Sequence, residues 1–412
     1  MAVDVGERTT RAPLRLLLLL GPAFVAAIAY VDPGNVAANL TAGARYGYLL
    51  VWVLVAANAI AVFIQYQSAK LGLVTGRSLP ELLGARLGTG TRRAFWVQAE
   101  LVAAATDIAE VIGGAIALNL LFGLPLPLGG LIVGVAAIAI LAVQSRRGQR
   151  PFEAIILGLL GVIAVGFLAG LVVSPVDWGA AAGGLVPRFD GAPTVLLAAS
   201  MLGATVMPHA IYLHSALARD RHGIAAERGR LRELLRATRV DVVLALILAG
   251  AVNIAMLLLA ASSLRGVDGT DTIQGAHAAI ASALGPAVGV IFAVGLLASG
   301  LASTSVGSYA GATIMGGLLH VRVPLLARRV ITLVPAIVIL ALGVEPTWAL
   351  VLSQVFLSLG IPFAMIPLLR LTGSRAVMGE HVNPLWVRIA GGAVAALVVL
   401  LNLALVVLTL VG

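Results

Sequence analysis

Two short proline-containing breaks inside apolar stretches carry the residues best suited to chemistry. One is Asp32-Pro33-Gly34-Asn35 and the other is Met207-Pro208-His209. Proline removes a backbone donor and biases the residue before it away from helix, so each break frees carbonyl groups. Aligning the two prolines sets Asp32 opposite Met207. Asp32 and Asn35 offer hard oxygen ligands, Met207 a soft thioether, and Ala204, one turn before Met207, a backbone carbonyl. A mixed oxygen and sulfur set suits Mn²⁺, Fe²⁺, Co²⁺ or Cd²⁺ and gives no advantage to Mg²⁺ or Ca²⁺, which take oxygen only. A lone methionine in an apolar helix is usually packing. The helix break and the partnership with Asp32 set Met207 apart.

A second group of ionisable residues lies in the third apolar stretch. Glu100, Asp107 and Glu110 are spaced to share one helical face. Acids in a membrane helix must face protein or water, and such rows relay protons or form static salt bridges that hold helices together. Arg328 and Arg329 are the nearest candidates to pair with them, and His209 can hand protons between the break and this row. His214 lies further along the same stretch, either lining that route or sitting near the interface. Gln354 can ligate a cation or hydrogen-bond between helices. The small-residue run from Ser303 to Gly311 reads as close packing or a moving contact.

The elements that must position these residues follow from composition. Hydrophobic residues make up 60% of the 412-residue chain and charged residues 11%, too few to cover a water-facing surface. The apolar residues fall into stretches of about 18 to 25, the length needed to cross roughly 30 Å of hydrocarbon. Period-2 alternation is absent, so the spanning elements are helices and not a barrel. The chain has no Cys, which excludes disulfides, iron–sulfur clusters and thiolate metal sites. Eleven spans are expected, over about 14–44, 48–71, 94–122, 128–144, 152–173, 194–217, 240–262, 285–318, 327–343, 347–370 and 387–411. The first follows three arginines and has no cleavage site, so it reads as a retained helix. Ser78-Leu79-Pro80-Glu81 has the form of a capping box that opens a short helix between the second and third spans.

The net charge of +9 could suggest nucleic acid, but the basic residues sit in short loops between spans. Counted on alternate sides, 24 of the 27 Lys and Arg residues fall with the N-terminus and only Arg45, Arg188 and Arg265 on the other side. That asymmetry puts the N-terminus in the cytoplasm and the C-terminus outside. Breaks at corresponding places in spans 1 and 6 are the pointer to an inverted-repeat transporter with a midplane site. The expected organisation is a cytoplasmic tail (1–13), a first repeat of five helices (14–173), an external loop (174–193), a second repeat (194–370), and a linker with an eleventh helix (371–412).

The motifs DPGN in span 1, ATVMPH in span 6 and QAELVAAATDIAE in span 3 resemble those of the Nramp family, natural resistance-associated macrophage proteins. SQVFLSLGIPFA in span 10 and the paired arginines before span 9 extend the resemblance over nearly the whole chain. It implies an all-α polytopic membrane protein with a leucine-transporter-like fold. Ten core helices would form inverted 5+5 repeats with helices 1 and 6 broken, and an eleventh helix would follow, as in many bacterial members. It further implies proton-coupled import of Mn²⁺, Fe²⁺ and related metals across the cytoplasmic membrane, with metal ions, protons and lipid as partners and no cofactor. Carried over by motif, the metal ligands are Asp32, Asn35, the Ala204 carbonyl and Met207, with Gln354 joining in some conformations. The proton route is His209, Glu110, Asp107 and the span 9 arginines, with Glu100 towards the cytoplasm. Ala210 stands where many relatives have Asn, and A312-T-I-M-G-G is less polar than usual. Magnesium-carrying relatives lack the methionine. Three rival readings are a sodium-coupled amino-acid symporter, an intramembrane aspartyl protease and a passive channel. The first is disfavoured by the Asp32 carboxylate and the second by the missing glycine-flanked aspartate motif. The interrupted halves disfavour the third. Nothing in the sequence demands more than a monomer.

Overall fold

Prolines 33 and 208 decide where two of the spans come apart, because a helix can begin at a proline but cannot run through one unstrained. In the computed structural model, whose described residues are 19–223, 228–270, 272–321 and 324–411, the first span is made of three pieces. They are α1 (Pro22–Ala27), a 3₁₀ turn (Ile28–Val31) and, after an extended Asp32, α2 (Pro33–Tyr46). The second span is α3 (Val51–Thr75), followed by the short α4 (Leu79–Arg86). Spans 3 to 5 are α5 (Thr89–Phe122), α6 (Leu126–Arg147) and α7 (Gln149–Val173), and α8 (Trp178–Gly183) lies in the next loop. Span 6 is α9 (Gly191–Thr205) and α10 (Pro208–His222), parted at Val206 and Met207. Then come α11 (Arg228–Ser263), a loop helix α12 (Ile273–Leu284), α13 (Pro286–Leu319), α14 (Leu325–Ala341) and α15 (Pro346–Thr372). The short α16 (Arg375–Met378) leads to α17 (Leu385–Val411).

Among the described residues nine helices are long and apolar enough to cross a membrane, the broken sixth span counting as one. The remaining two spans are the broken first and α14, whose 17 residues reach about 25 Å at 1.5 Å per residue. The eleven spans are therefore those expected, with altered ends. α5 begins at residue 89 and α11 at residue 228, earlier than the apolar stretches do. The arginine-rich segment before span 7 is helical from 228, because Arg and Glu are good helix formers without being apolar. The expected tail, 1–13, lies outside the described residues. The capping box is present, with the Ser78 amide donating to Glu81 Oε2 at 2.8 Å.

Helices that stand at matching positions in the two five-span halves pack on one another: α3 on α11, α5 on α13, and α6 on α14. The α5–α13 contact is the most extensive in the molecule, and it carries the acid row into the centre. Close approach is bought with small residues. At Gly43 of α2 an added Cβ would stand 2.4 Å from the Leu257 carbonyl oxygen of α11, a backbone atom that cannot swing aside. Gly43→Val is accordingly expected to destabilise the fold by about 1–3 kcal/mol, read as a lower thermal unfolding midpoint in detergent. An unchanged midpoint would show that α2 can slide.

Candidate metal site

Each break is organised by what its proline leaves free. In an unbroken sixth span the Ala204 carbonyl would accept from the amide of residue 208, and Pro208 has none. The freed carbonyl instead accepts from Asn35 Nδ2 at 2.8 Å, which joins the two broken spans directly. In span 1 the carbonyls around the 3₁₀ turn are taken by neighbours. Asn253 of α11 donates to Tyr30 O at 2.6 Å, and Ser299 of α13 donates to Val31 O at 2.5 Å. Asp32 caps α2: its Oδ1 accepts from the Asn35 amide at 2.7 Å and from Asn35 Nδ2 at 2.6 Å. This is the N-cap arrangement that Asp favours. Gly34 and Gly113 are obligatory here. A Cβ at 34 would sit 1.8 Å from Gln354 Nε2, and one at 113 would lie 2.0 Å from Pro33 Cβ.

The junction leaves oxygen atoms over. Asp32 Oδ2 receives only a long 3.4 Å contact from Gln354 Nε2. Asn35 Oδ1 and Gln354 Oε1 are buried without a hydrogen-bond partner. Asp32, Asn35, Ala204, Met207 and Gln354 are all fully buried. Unpaired buried acceptors cost free energy unless something satisfies them. One carboxylate, two amide oxygens, a carbonyl and a nearby thioether make a donor set that could hold a cation, with a single net negative charge. Among the described residues no group of three His, Asp or Glu side chains could hold a metal ion. The donor set here escapes that pattern because four of its five members are neutral.

The acid row divides in two. Arg328 pairs with Glu100 at 2.6 Å, and Arg329 pairs with Asp107, which also accepts from Thr304 Oγ1 at 2.6 Å. Both arginines are buried, so these ion pairs tie α5 to α14, and Thr304 ties Asp107 to α13. Glu110 and His209 differ. Both are buried, and among the described residues neither Glu110 oxygen nor either His209 nitrogen has a hydrogen-bond partner. The glycines of α13 make the room: a Cβ at Gly307 would lie 3.0 Å from Glu110 Oε2, and one at Gly311 would overlap the Arg328 guanidinium. The Ser303–Gly311 run is thus close packing around charged side chains.

His214 is packed inside the bundle. It is fully buried, its Nδ1 2.7 Å from Gln65 Oε1, and Gln65 Nε2 donates to the Tyr30 hydroxyl. Sequence reading passed over Gln65, Tyr30 and the Asn39–Asn253 pair, whose Nδ2-to-Oδ1 distance is 2.9 Å. Polar amides inside apolar spans were the available signal. At the end of span 1 that carries the N-terminus, Asp241 accepts from the amides of Gly21 and Ala23 at 3.0 and 2.9 Å. In the short helix α4, Glu81 pairs with Arg219 of α10. Burial would raise the Glu81 carboxyl, but the Ser78 amide and Arg219 hold it below its ordinary value.

Two broken helices meeting at buried, unpartnered acceptors inside paired five-span halves define a membrane transporter of leucine-transporter-like fold. MhsT, solved with L-phenylalanine, shares that fold at TM-score 0.60 and 15% identity, over 94% of this chain and 97% of its own. The chain belongs to the Nramp family: residues 23–408 match the model described as natural resistance-associated macrophage protein-like. It is 60% identical over 411 residues to the divalent metal cation transporter MntH of Mycobacterium tuberculosis, covering 99% of this chain and 96% of that one. To the MntH of Bacillus subtilis it is 45% identical, over 95% and 92% of the two chains. The Eremococcus coleocola manganese transporter, crystallised with an aromatic bis-isothiourea compound, superposes with TM-score 0.87 at 32% identity, over 97% and 88%.

Proposed function

We propose that this chain imports divalent transition-metal ions, Mn²⁺ foremost and also Fe²⁺, Co²⁺ and Cd²⁺, in symport with protons across the cytoplasmic membrane. The observation that carries the reading is the Asn35–Ala204 junction, where the two breaks meet beside acceptors that nothing satisfies. An amide NH₂ held between a carboxylate and a carbonyl stands where a cation would stand. A half-turn of the Asn35 amide replaces that donor with Oδ1 and adds one more oxygen to the acceptors available to a cation. Asp32 supplies the charge, and Asn35, Ala204 and Gln354 supply neutral oxygens. Met207 supplies the sulfur that favours softer ions over Mg²⁺ and Ca²⁺. The 24-to-3 distribution of basic residues supports a cytoplasmic N-terminus and an external C-terminus.

Full burial of the ligand residues means that passage requires movement. Asp241 holds the start of α1 to α11, so its release would open the site towards the cytoplasm. Spans 1 and 6 move as a bundle while α5, α13 and α14, tied by the Arg328 and Arg329 ion pairs, stay as scaffold. Protons take Asp32, His209 and Glu110 and leave past Asp107 and Glu100. Glu110 and His209 are free to exchange protons because no partner holds them in one state, whereas Asp107 is pinned. His214 belongs to the Gln65 and Tyr30 network beside the route.

The test is uptake into proteoliposomes of Mn²⁺ and, separately, Mg²⁺, with and without an inward pH gradient. Mn²⁺ uptake that the gradient accelerates is expected, with little Mg²⁺ uptake. An active preparation that fails to take up Mn²⁺ sinks the reading. Glu110→Gln removes one exchanging proton while keeping the side chain's shape. It should flatten the response of Mn²⁺ uptake to the pH gradient and leave Mn²⁺ binding, measured by calorimetry, within about threefold. An undiminished response would take Glu110 off the proton route.

A further inference from the structure

We propose that the groove between α15 and α17 binds the headgroup of an anionic phospholipid through Arg370 and Arg388. The groove is a cavity of about 380 Å³ where α15 ends and α17 begins. Its walls are apolar, from Ile366, Leu369, Val387 and Ala395, and no acid lines it. Arg370 and Arg388 are exposed, and neither has an ion-pair partner among the described residues. Both arginines line the groove, and the Arg388 side chain passes over Gly373, where a Cβ would lie 3.4 Å from its Nε.

Positive charge continues beneath the floor. Lys70 of α3 is buried, and its ammonium donates to Asn383 Oδ1 at 2.7 Å, a groove residue. Asn383 is itself fixed, with Nδ2 donating to Gln67 Oε1 at 2.8 Å and its amide to Thr372 O at 3.0 Å. One turn from Lys70 the Arg239 guanidinium lies over the Tyr66 ring, 5.3 Å from its centroid. Cations gathered around an acid-free apolar slot call for an anion that carries its own hydrocarbon. The depth agrees. Leu385, Trp386 and Ile389 are more than 60% exposed on the first turns of α17, and exposed Trp marks the headgroup level of a bilayer. Arg388 therefore stands at that level, where basic pockets between helices take anionic headgroups. The phosphate lies between the two guanidiniums, and an acyl chain lies along Leu369 and Ala395.

The test uses the purified full-length chain, delipidated in detergent and titrated with phosphatidylglycerol or phosphatidylcholine, with bound lipid counted by native mass spectrometry. One phosphatidylglycerol per chain is expected, and phosphatidylcholine should bind far more weakly. The R370A/R388A double variant should lose about thirtyfold in affinity for phosphatidylglycerol. Gly392→Leu puts a side chain into the groove and keeps both arginines, at a position where the added Cβ meets open space. It should reduce binding comparably. Arg375→Ala, an exposed arginine outside the groove, should leave binding unchanged. Equal binding of the two lipids, unaltered binding by G392L, or a loss in R375A matching the double variant would overturn the proposal. Displacement of the lipid by millimolar inorganic phosphate would overturn it too, by making a free anion the ligand.

Discussion

Asp32→Asn is expected to abolish metal uptake while leaving the protein folded. Asparagine matches aspartate in shape and is an equally good N-cap, so the amide oxygen can still accept from the Asn35 backbone as Asp32 Oδ1 does at 2.7 Å. What is lost is the only negative charge in the donor set. A buried divalent ion held by neutral oxygens and a thioether alone keeps too little compensation for its lost hydration. Losing about 3 kcal/mol of binding corresponds to more than a hundredfold in affinity. Mn²⁺ uptake should therefore fall at least a hundredfold by that measure, with the thermal midpoint in detergent unchanged. Uptake within threefold of the parent would remove Asp32 from the site.

The second large effect falls on selectivity. Met207→Ala deletes the thioether and leaves every oxygen donor in place. Cd²⁺, the softest of the candidate ions, should lose about ten- to a hundredfold in competition against Mn²⁺ uptake. Mn²⁺ transport should fall less, and Ca²⁺ or Mg²⁺, excluded by a soft ligand, should gain. Isothermal titration with Cd²⁺ and Ca²⁺ separates this outcome from a general loss of fold, which would weaken both. An unaltered order of ions would make Met207 a packing residue. Its complete burial beside the Ala204 turn is compatible with either role, so selectivity decides between them.

The two halves of the acid row show what an unpaired group is worth as a functional signal. Asp107 and Glu110 sit one turn apart on the same face of α5, equally distant from water. Only Asp107 has a guanidinium and a hydroxyl to hold it. A carboxylate held by a guanidinium and a hydroxyl has less reason to change protonation during a cycle than Glu110, which has no bond to lose among the described residues. The same contrast separates His214, anchored to Gln65, from His209, which touches no hydrogen-bonding partner.

The sequence by itself determined the class of molecule, the succession of its apolar spans, and the two places where they break. Those properties follow from hydrophobicity and proline, which act locally and so are written locally. Asp32, Asn35 and Met207 were legible for the same reason: each lies beside a proline in a stretch where polarity is costly. Tertiary structure alone decided which groups meet. Nothing in the order of residues says that Asn35 reaches Ala204 across 169 positions, or that Gln354 Oε1 and Asn35 Oδ1 are left without donors. Nor could spacing say that Arg329 would take Asp107 and leave Glu110 bare, since both acids share a helix face. The glycines at 307 and 311 leave room against α13 for the Glu110 carboxyl and the Arg328 guanidinium. Pairing across a bundle depends on close packing between distant segments, and only folded coordinates report it.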